Sequence, residues 1–431
     1  VKKKIYAGAG ASALIALVAL AAMVSGALAR SGSPLPASSC SAIQNGSGKY
    51  LIASDLPLEG SGRTQTTQMT RAIKFILQQH GWKAGKYTLA YQSCDDATAQ
   101  AGKWDSGKCS ANANNYASNS SVIGVIGTFN SGCAEIEIPI LNRAPNGPIA
   151  MVSPANTYVG LTHGGPGTVA GEPGKYYPTG KRNYARVVAA DDYQGAADAV
   201  LAKSLGVKKV FILNDKEAYG LGVASNFRNA AKRLGISIVG FTAWDGKASS
   251  YEALAVKIKS SGAQGVFLGG LICENGGKLI KDIRNGVGSN VKLMMPDGFT
   301  PVSATIQQSG SAANNATVSV AGLPNTALKG AGKAFVAAFT KADHQPPDPY
   351  SVYAAQAAEV LIQAIKQSNG TRADVAKQMF KVRLAASILG NVGFNTNGDV
   401  TSNPVTIYKV VGGKTTTYKV ITPPKALVKI A

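Results

Sequence analysis

Ser131 lies in the stretch "TFNSG", between an apolar run that stops at Gly127 and an apolar pattern that resumes with Ile136, Ile138, Ile140 and Leu141. A hydroxyl at this place stands beside the free backbone N–H groups that open a helix. Such a site suits a carboxylate or another anion, each N-terminal charge interaction being worth roughly 0.3–1 kcal/mol. Ordinary helix capping calls for the same residue type, so the hydroxyl alone does not separate the two roles. Gly127 and Gly132 would let a ligand approach the backbone. Small polar loops recur after other apolar runs: "DLPLEGSGRTQ", "PANTYVG", "DKEAYGLG", "LICENGG" and "DGFT". Tyr219, in a Gly-flanked loop, is a contact candidate. Asp297, after "LMMP", must be exposed or paired with a cation, because an unpaired buried carboxylate is costly.

These loops need elements to hold them. Short β-branched runs alternate with helical patterns: Tyr50–Ser54, Tyr87–Gln92, Val122–Gly127 and Pro148–Ser153 read as strands, with Met69, Ile73, Ile76 and Leu77 at helical spacing between the first two. A Gly/Pro-rich loop from Thr162 to Lys181 interrupts the rhythm, which restarts with Lys209–Asn214, Ile236–Phe241, Gly265–Gly270 and Lys292–Asp297. Strong helices over Gly332–Lys341 and Val352–Gln367 follow, then "VTIYKVV" and "TTTYKVI" around Gly412-Gly413, a hairpin signal. Strands without polar alternation belong in parallel sheets covered on both faces, and the restart implies two of them. The expected fold is α/β, with two doubly wound parallel-sheet lobes. In such sheets ligands collect at the carboxyl ends of strands, which is where the polar loops fall.

Composition narrows the function. The formal charge of +21 comes from scattered lysines such as Lys203, Lys232 and Lys278, with no basic stripe or aromatic RNA-binding motif, so no nucleic acid is expected as a partner. Nucleophile-elbow, zincin and P-loop patterns are absent, and "GGLICENGGK" lacks the P-loop spacing. His80, His163 and His344 fall in unrelated loops or helix ends, and Glu274 reads as solvated. Neither an enzyme nor a cofactor is expected, and without a C-x-x-C no metal site is expected either. Lys2-Lys3-Lys4, the apolar run Ile5–Leu28 and Ala27-Leu28-Ala29 read as a secretory signal over 1–29. A flexible Ser/Gly/Pro linker is expected over 30–48, with lipidation of Cys40 as the lesser alternative to simple cleavage. Export to the periplasm or cell envelope permits disulfides. Cys94 and Cys109 flank a short polar loop and are the expected pair. A Cys133–Cys273 bond would lock the lobes and is not expected.

Taken together, "SDLPLEGSGRTQTTQMTRAIKFIL", "VIGTFNSGCAEIEIPILN", "MVSPANTYVGLT", "LNDKEAYGLGVASNF" and "VFLGGLICENGGKLIKDIR" resemble type I periplasmic binding proteins, the branched-chain amino acid (leucine/isoleucine/valine) family of ABC-transporter receptors. The resemblance covers about Tyr50 to Ile421. It implies two lobes joined by three crossovers and closing on a ligand like a hinged clamp. Lobe 1 is expected over 49–190 and 323–397, lobe 2 over 191–322 and 398–431. It further implies that Ser131, Ala155 and Thr157 hold the ligand from the first lobe, and that Tyr219 and Asp297 do so from the second, Asp297 meeting an ammonium. Gln65 and Leu271 stand where relatives carry aromatic residues. The implied function is capture of a small polar solute, an amino acid or amide-like compound, by a monomer that delivers it to an ABC permease in the membrane. An extracytoplasmic sensor of the same fold is the alternative.

Overall fold

The computed structural model describes Val1 and residues 33–428, so the expected secretory signal and its cleavage after Ala29 lie outside the described residues. Two sheets organise the chain. The first runs Lys83–Ala84, Tyr87–Asp95, Tyr50–Leu56, Val122–Gly127, Ala150–Ser153, Tyr184–Arg186 in spatial order, parallel throughout except for its first, two-residue strand. The second runs Ser237–Ala243, Lys209–Asn214, Gly265–Gly269, Lys292–Met295, Thr317–Val320, Val405–Val411, Lys414–Ile421, with the last two strands antiparallel. The hairpin at Gly412-Gly413 is present, both glycines having positive φ.

The strands lack polar alternation because both of their faces are covered. Ile52, Ile126 and Val152 enter one apolar cluster, with Met69 and Ile73 of the helix Arg63–Gln79 and Leu361 of the helix Pro349–Gln367. Their neighbours Leu51, Val125 and Met151 enter the opposite cluster, with Tyr116 and Ile138 of the helices Ser106–Ser118 and Ser131–Asn142. The second sheet divides likewise, Leu213 and Leu268 to one side, Ile212 and Phe267 to the other. Successive side chains on a strand point to opposite faces, so each sheet builds two cores at once.

The chain crosses between the sheets three times: after Tyr184–Arg186, after Thr317–Val320, and after the strand Gly390–Gly393 on its way to Val405–Val411. A charge network ties the first and third crossings. Arg186, fully buried, donates from Nε to Asp399 Oδ1 at 2.8 Å and from Nη1 to the carbonyls of Asn156 and Tyr158 at 3.1 and 2.9 Å. His163 joins them, with Nδ1 3.2 Å from Asp399 Oδ2 and Nε2 3.3 Å from Asp192 Oδ2. Nothing in the residues around His163 marks it for this role; its loop folds back onto the hinge.

Two expectations are corrected near the N-terminus. The described part of the expected linker is not free. Leu35 is 4% exposed and its N–H donates to Gln92 Oε1 at 2.7 Å, while Cys40 and Gln44 bridge to Cys94 and Tyr91 of the first sheet. The disulfides are Cys40–Cys94 and Cys109–Cys133, not Cys94–Cys109. Cys94 sits on a strand beside the Cys40 segment, whereas Cys109 sits on a helix packed against the helix that bears Cys133. Closeness in sequence does not set connectivity. With its sulfur bonded to Cys94, Cys40 has no thiol to accept a lipid. Cys273 is free.

Beneath the helix Ser131–Asn142, Asp55, Asp96 and Glu137 are fully buried together. Burial pushes all three carboxyls upward, Asp55 to about 6, which keeps protons on the group at the expense of charge.

Two outcomes follow for measurement. A non-reducing peptide map recovers Cys40–Cys94 and Cys109–Cys133 cross-links with Cys273 alkylatable; a Cys94–Cys109 peptide contradicts the arrangement. Burial lowers the affinity of His163 for its proton, but hydrogen bonds to Asp192 and Asp399 outweigh it and raise the pKa to about 9 from 6.5. A raised histidine stabilises fully below its unfolded value and loses that contribution as pH climbs toward about 9, a term of up to about 3 kcal/mol. The unfolding midpoint of the native protein therefore falls between about pH 6.5 and 9.5 more steeply than that of His163→Gln; parallel curves contradict the pairing.

Candidate functional site

At the carboxyl ends of the strands the two sheets face each other across a small cavity. Phe129, Ser131, Ala155 and Thr157 line it from the first lobe, and Tyr219, Leu271 and Asp297 from the second. Six of the seven residues singled out in the sequence thus meet in one place. Gln65 does not: it lies on the helix Arg63–Gln79, and its Nε2 donates to Thr300 Oγ1 at 3.2 Å across the junction.

Local structure explains each position. Ser131 is the first residue of the helix Ser131–Asn142, one place inside Asn130, and its Oγ accepts the Tyr158 N–H at 3.3 Å. Ser153 Oγ accepts the N–H groups of Ala155 and Asn156 at 3.1 and 2.8 Å, which fixes the turn carrying Ala155 and Thr157. Tyr219 lies in the first turn of the helix Ala218–Arg233, and Asp297 opens the short turn Asp297–Phe299 after the strand Lys292–Met295. The glycines have another use than the expected one. A Cβ on Gly127 would lie 2.7 Å from the Asp55 carbonyl oxygen, and one on Gly132 would lie 2.6 Å from Trp104 Cζ2. Protein, not ligand, occupies the space these glycines leave.

The electrostatics of the cavity are one-sided. Asp297 is 5% exposed; its Oδ1 accepts the Tyr219 hydroxyl at 2.6 Å and its Oδ2 accepts that of Tyr350. The Gly298 N–H in turn donates to the Tyr219 oxygen at 2.8 Å. Burial raises the Asp297 pKa, against the pull of both tyrosines. Asp191, which the sequence reading missed, opens the helix Asp191–Ser204 just after the first crossing, and its N–H donates to the Thr157 carbonyl at 2.8 Å. Its side chain is fully buried, and among the described residues neither carboxylate oxygen has a hydrogen-bond partner; nor has Thr157 Oγ1. Burial and then the charge of Asp297 push the Asp191 carboxyl up, opposed first by the neighbouring Thr157 hydroxyl and then by Arg186. That arginine is already committed to Asp399. No lysine or arginine lines the cavity among the described residues. Two buried carboxylates, two tyrosines, a free hydroxyl and a helix N-terminus can therefore hold a molecule with a positive end and a negative end. A signal for Asp191 existed in "AADDYQG", an acidic pair opening a helix, but acidic N-terminal turns are ordinary and did not single it out.

Opposite the hinge, the small hairpin of Ala97–Thr98 and Lys103–Trp104 reaches across the opening. Lys103 Nζ pairs with Glu217 at 3.3 Å and with Glu274, so a first-lobe lysine is clasped by two second-lobe carboxylates. Glu274, expected to be solvated, is held there with its carbonyl accepting the Trp244 indole N–H at 2.8 Å.

The family described as periplasmic binding protein matches residues 52–415. The chain belongs to that family. This binding protein is 27% identical over 352 residues to a Leu/Ile/Val-binding protein homolog of Brucella melitensis, covering 80% of this chain and 85% of the relative. It is 25% identical over 298 residues to an amino acid binding protein of Pseudomonas aeruginosa, covering 69% and 74%. In fold it is similar to a leucine binding protein from Thermotoga maritima, with a TM-score of 0.74 at 21% identity over 87% of this chain and 99% of that one. A Rhodopseudomonas palustris solute binding protein in complex with 4-hydroxybenzoate gives 0.71 at 17% identity, covering 87% and 97%. Likeness at such identity establishes the two-lobed α/β architecture of this binding protein.

The Lys103 clasp has a kinetic consequence. Lys103→Met removes the ion pair that spans the opening of this binding protein and raises the rate of ligand release about 3- to 10-fold, with a smaller salt dependence than in the native protein. Stopped-flow release at low and high salt measures both; an unchanged rate contradicts a role in closure.

Proposed function

We propose that the protein is an exported solute-binding protein that captures an amino acid between its lobes and presents it to an ABC permease. One observation carries the reading: Asp297 on the cavity lining and Asp191 just behind Thr157 are both buried, and among the described residues no lysine or arginine lines that cavity, opposite the helix N-terminus that begins at Ser131. A zwitterion supplies what is missing. Its ammonium meets the two carboxylates and the Thr157 hydroxyl, and its carboxylate meets Ser131 and the N-terminal N–H groups. The names of the Leu/Ile/Val- and amino acid-binding relatives support the same class. An aromatic acid such as the 4-hydroxybenzoate held by one structural neighbour would leave both carboxylates unbalanced. Binding across the junction favours the closed arrangement over the open one, the change a permease can recognise.

Protein freed of bound solute by unfolding and refolding is titrated calorimetrically with L-amino acids and with the matching 2-keto acids. An amino acid binds and its keto acid does not. Asp191→Asn and Asp297→Asn each weaken binding about 30-fold or more, as expected when one side of a buried charge pair is removed. Equal binding of the keto acid, or unchanged affinity in both variants, overturns the assignment.

A further inference from the structure

Resting on the amino acid reading, the second compartment of the cleft narrows the substrate class. It shares Phe129, Asn130, Leu271 and Gly298 with the first cavity, so a solute anchored by its α-amino and carboxylate groups extends its side chain there. Pro57, Trp104, Phe129, Leu271 and Ile272 give it apolar walls. Trp104 brings an aromatic face that Gln65 and Leu271 do not.

The walls are not wholly apolar, however. Ser61 and Trp104 both line the compartment and are half-buried as residues, yet Ser61 Oγ and Trp104 Nε1 are themselves buried with no hydrogen-bond partner among the described residues. The indole N–H can only donate, and the serine hydroxyl can donate as well as accept. Both groups are held in place. Ser61 belongs to the turn Gly60–Gly62 and Trp104 to the hairpin strand Lys103–Trp104, and Gly60 and Gly102 press these two segments together: a Cβ on Gly60 would overlap the Gly102 carbonyl at 1.7 Å. An aliphatic side chain offers these donors no acceptor and leaves them unsatisfied. An acidic side chain finds no free cation there: Lys103, the basic residue on the lining, is already bound to Glu217 and Glu274, and Glu59 lines the same space.

We infer that the preferred solute is an amino acid whose side chain ends in an uncharged hydrogen-bond acceptor, a carboxamide in the first place, read by the Trp104 indole N–H and the Ser61 hydroxyl. Apolar walls then enclose the methylenes, and the two donors select the terminal oxygen. A site built to donate to such an oxygen discriminates against analogues that lack it, because its own donors are otherwise left unpaired.

The experiment is calorimetry of the solute-free full chain with glutamine, asparagine, glutamate, leucine, isoleucine and valine, repeated with Trp104→Phe, which keeps a ring and removes the donor, and with Ser61→Ala. The expected result is that a carboxamide amino acid binds about 10-fold or more tighter than leucine and than glutamate, and that Trp104→Phe brings the carboxamide-to-leucine ratio toward one. Tighter binding of leucine, isoleucine or valine overturns this inference alone and leaves the amino acid reading standing, as does a ratio that neither variant changes. Failure of every amino acid to bind overturns the function on which it rests, and the inference with it.

Discussion

A carboxylate taken out of water must find a counter-charge or a proton, and this requirement governs how the molecule is arranged. Asp399 finds Arg186 and His163, and the result is a hinge whose first and third crossings are fastened together. Glu217 and Glu274 find Lys103, and the result is a clasp on the opposite side of the cleft. Asp55, Asp96 and Glu137 pair with no lysine or arginine among the described residues, and burial pushes their carboxyls toward the protonated form at the helix that begins at Ser131. Asp191 and Asp297 stand apart. Asp297 stands at a strand end of the second sheet and Asp191 just past the first crossing, and tyrosine hydroxyls temper only Asp297. On the proposed reading, the ammonium of the captured solute completes the balance.

That balance also gives the two-lobed plan its purpose. Ser131 and Thr157 come from strand ends of the first sheet, Tyr219 and Asp297 from strand ends of the second, and Asp191 from the segment just past the first crossing. None of these groups surrounds a solute by itself. The sites on each half are set by turns fixed through backbone and side-chain hydrogen bonds, such as Ser153 under Ala155 and Asn156. Affinity therefore depends on bringing two rigid walls together, with fastened crossings on one side and a salt-dependent clasp on the other.

Much of this was readable in the amino acids because it is local. The strand–helix rhythm, the hairpin at Gly412-Gly413 and the polar loops after Gly127, Ser153 and Met295 are written in consecutive residues. What escaped is non-local. Cys94 pairs with Cys40 from 54 residues away, not with its near neighbour Cys109. Residues 33–48 have the composition of a linker, yet Leu35 and Cys40 give them two buried footholds. Nothing in "GKWDS" tells that the hairpin carrying Trp104 folds over Gly132. Asp191 looks like any acidic residue at a helix start; only its full burial beside Thr157 sets it apart. Gln65 shows the converse, a position marked by resemblance whose side chain here bonds Thr300 and lies outside the cavity.

The small molecule that travels with the native protein tests the charge argument most directly. Protein purified from its own cells without refolding is unfolded, and the released compound is identified by mass spectrometry. A free α-amine and a carboxylate on one small molecule are the result expected from Asp191 and Asp297 facing the helix N-terminus. A bound solute with no basic nitrogen, such as an aromatic or keto acid, would contradict it, because both carboxylates would then stay buried beside an anion.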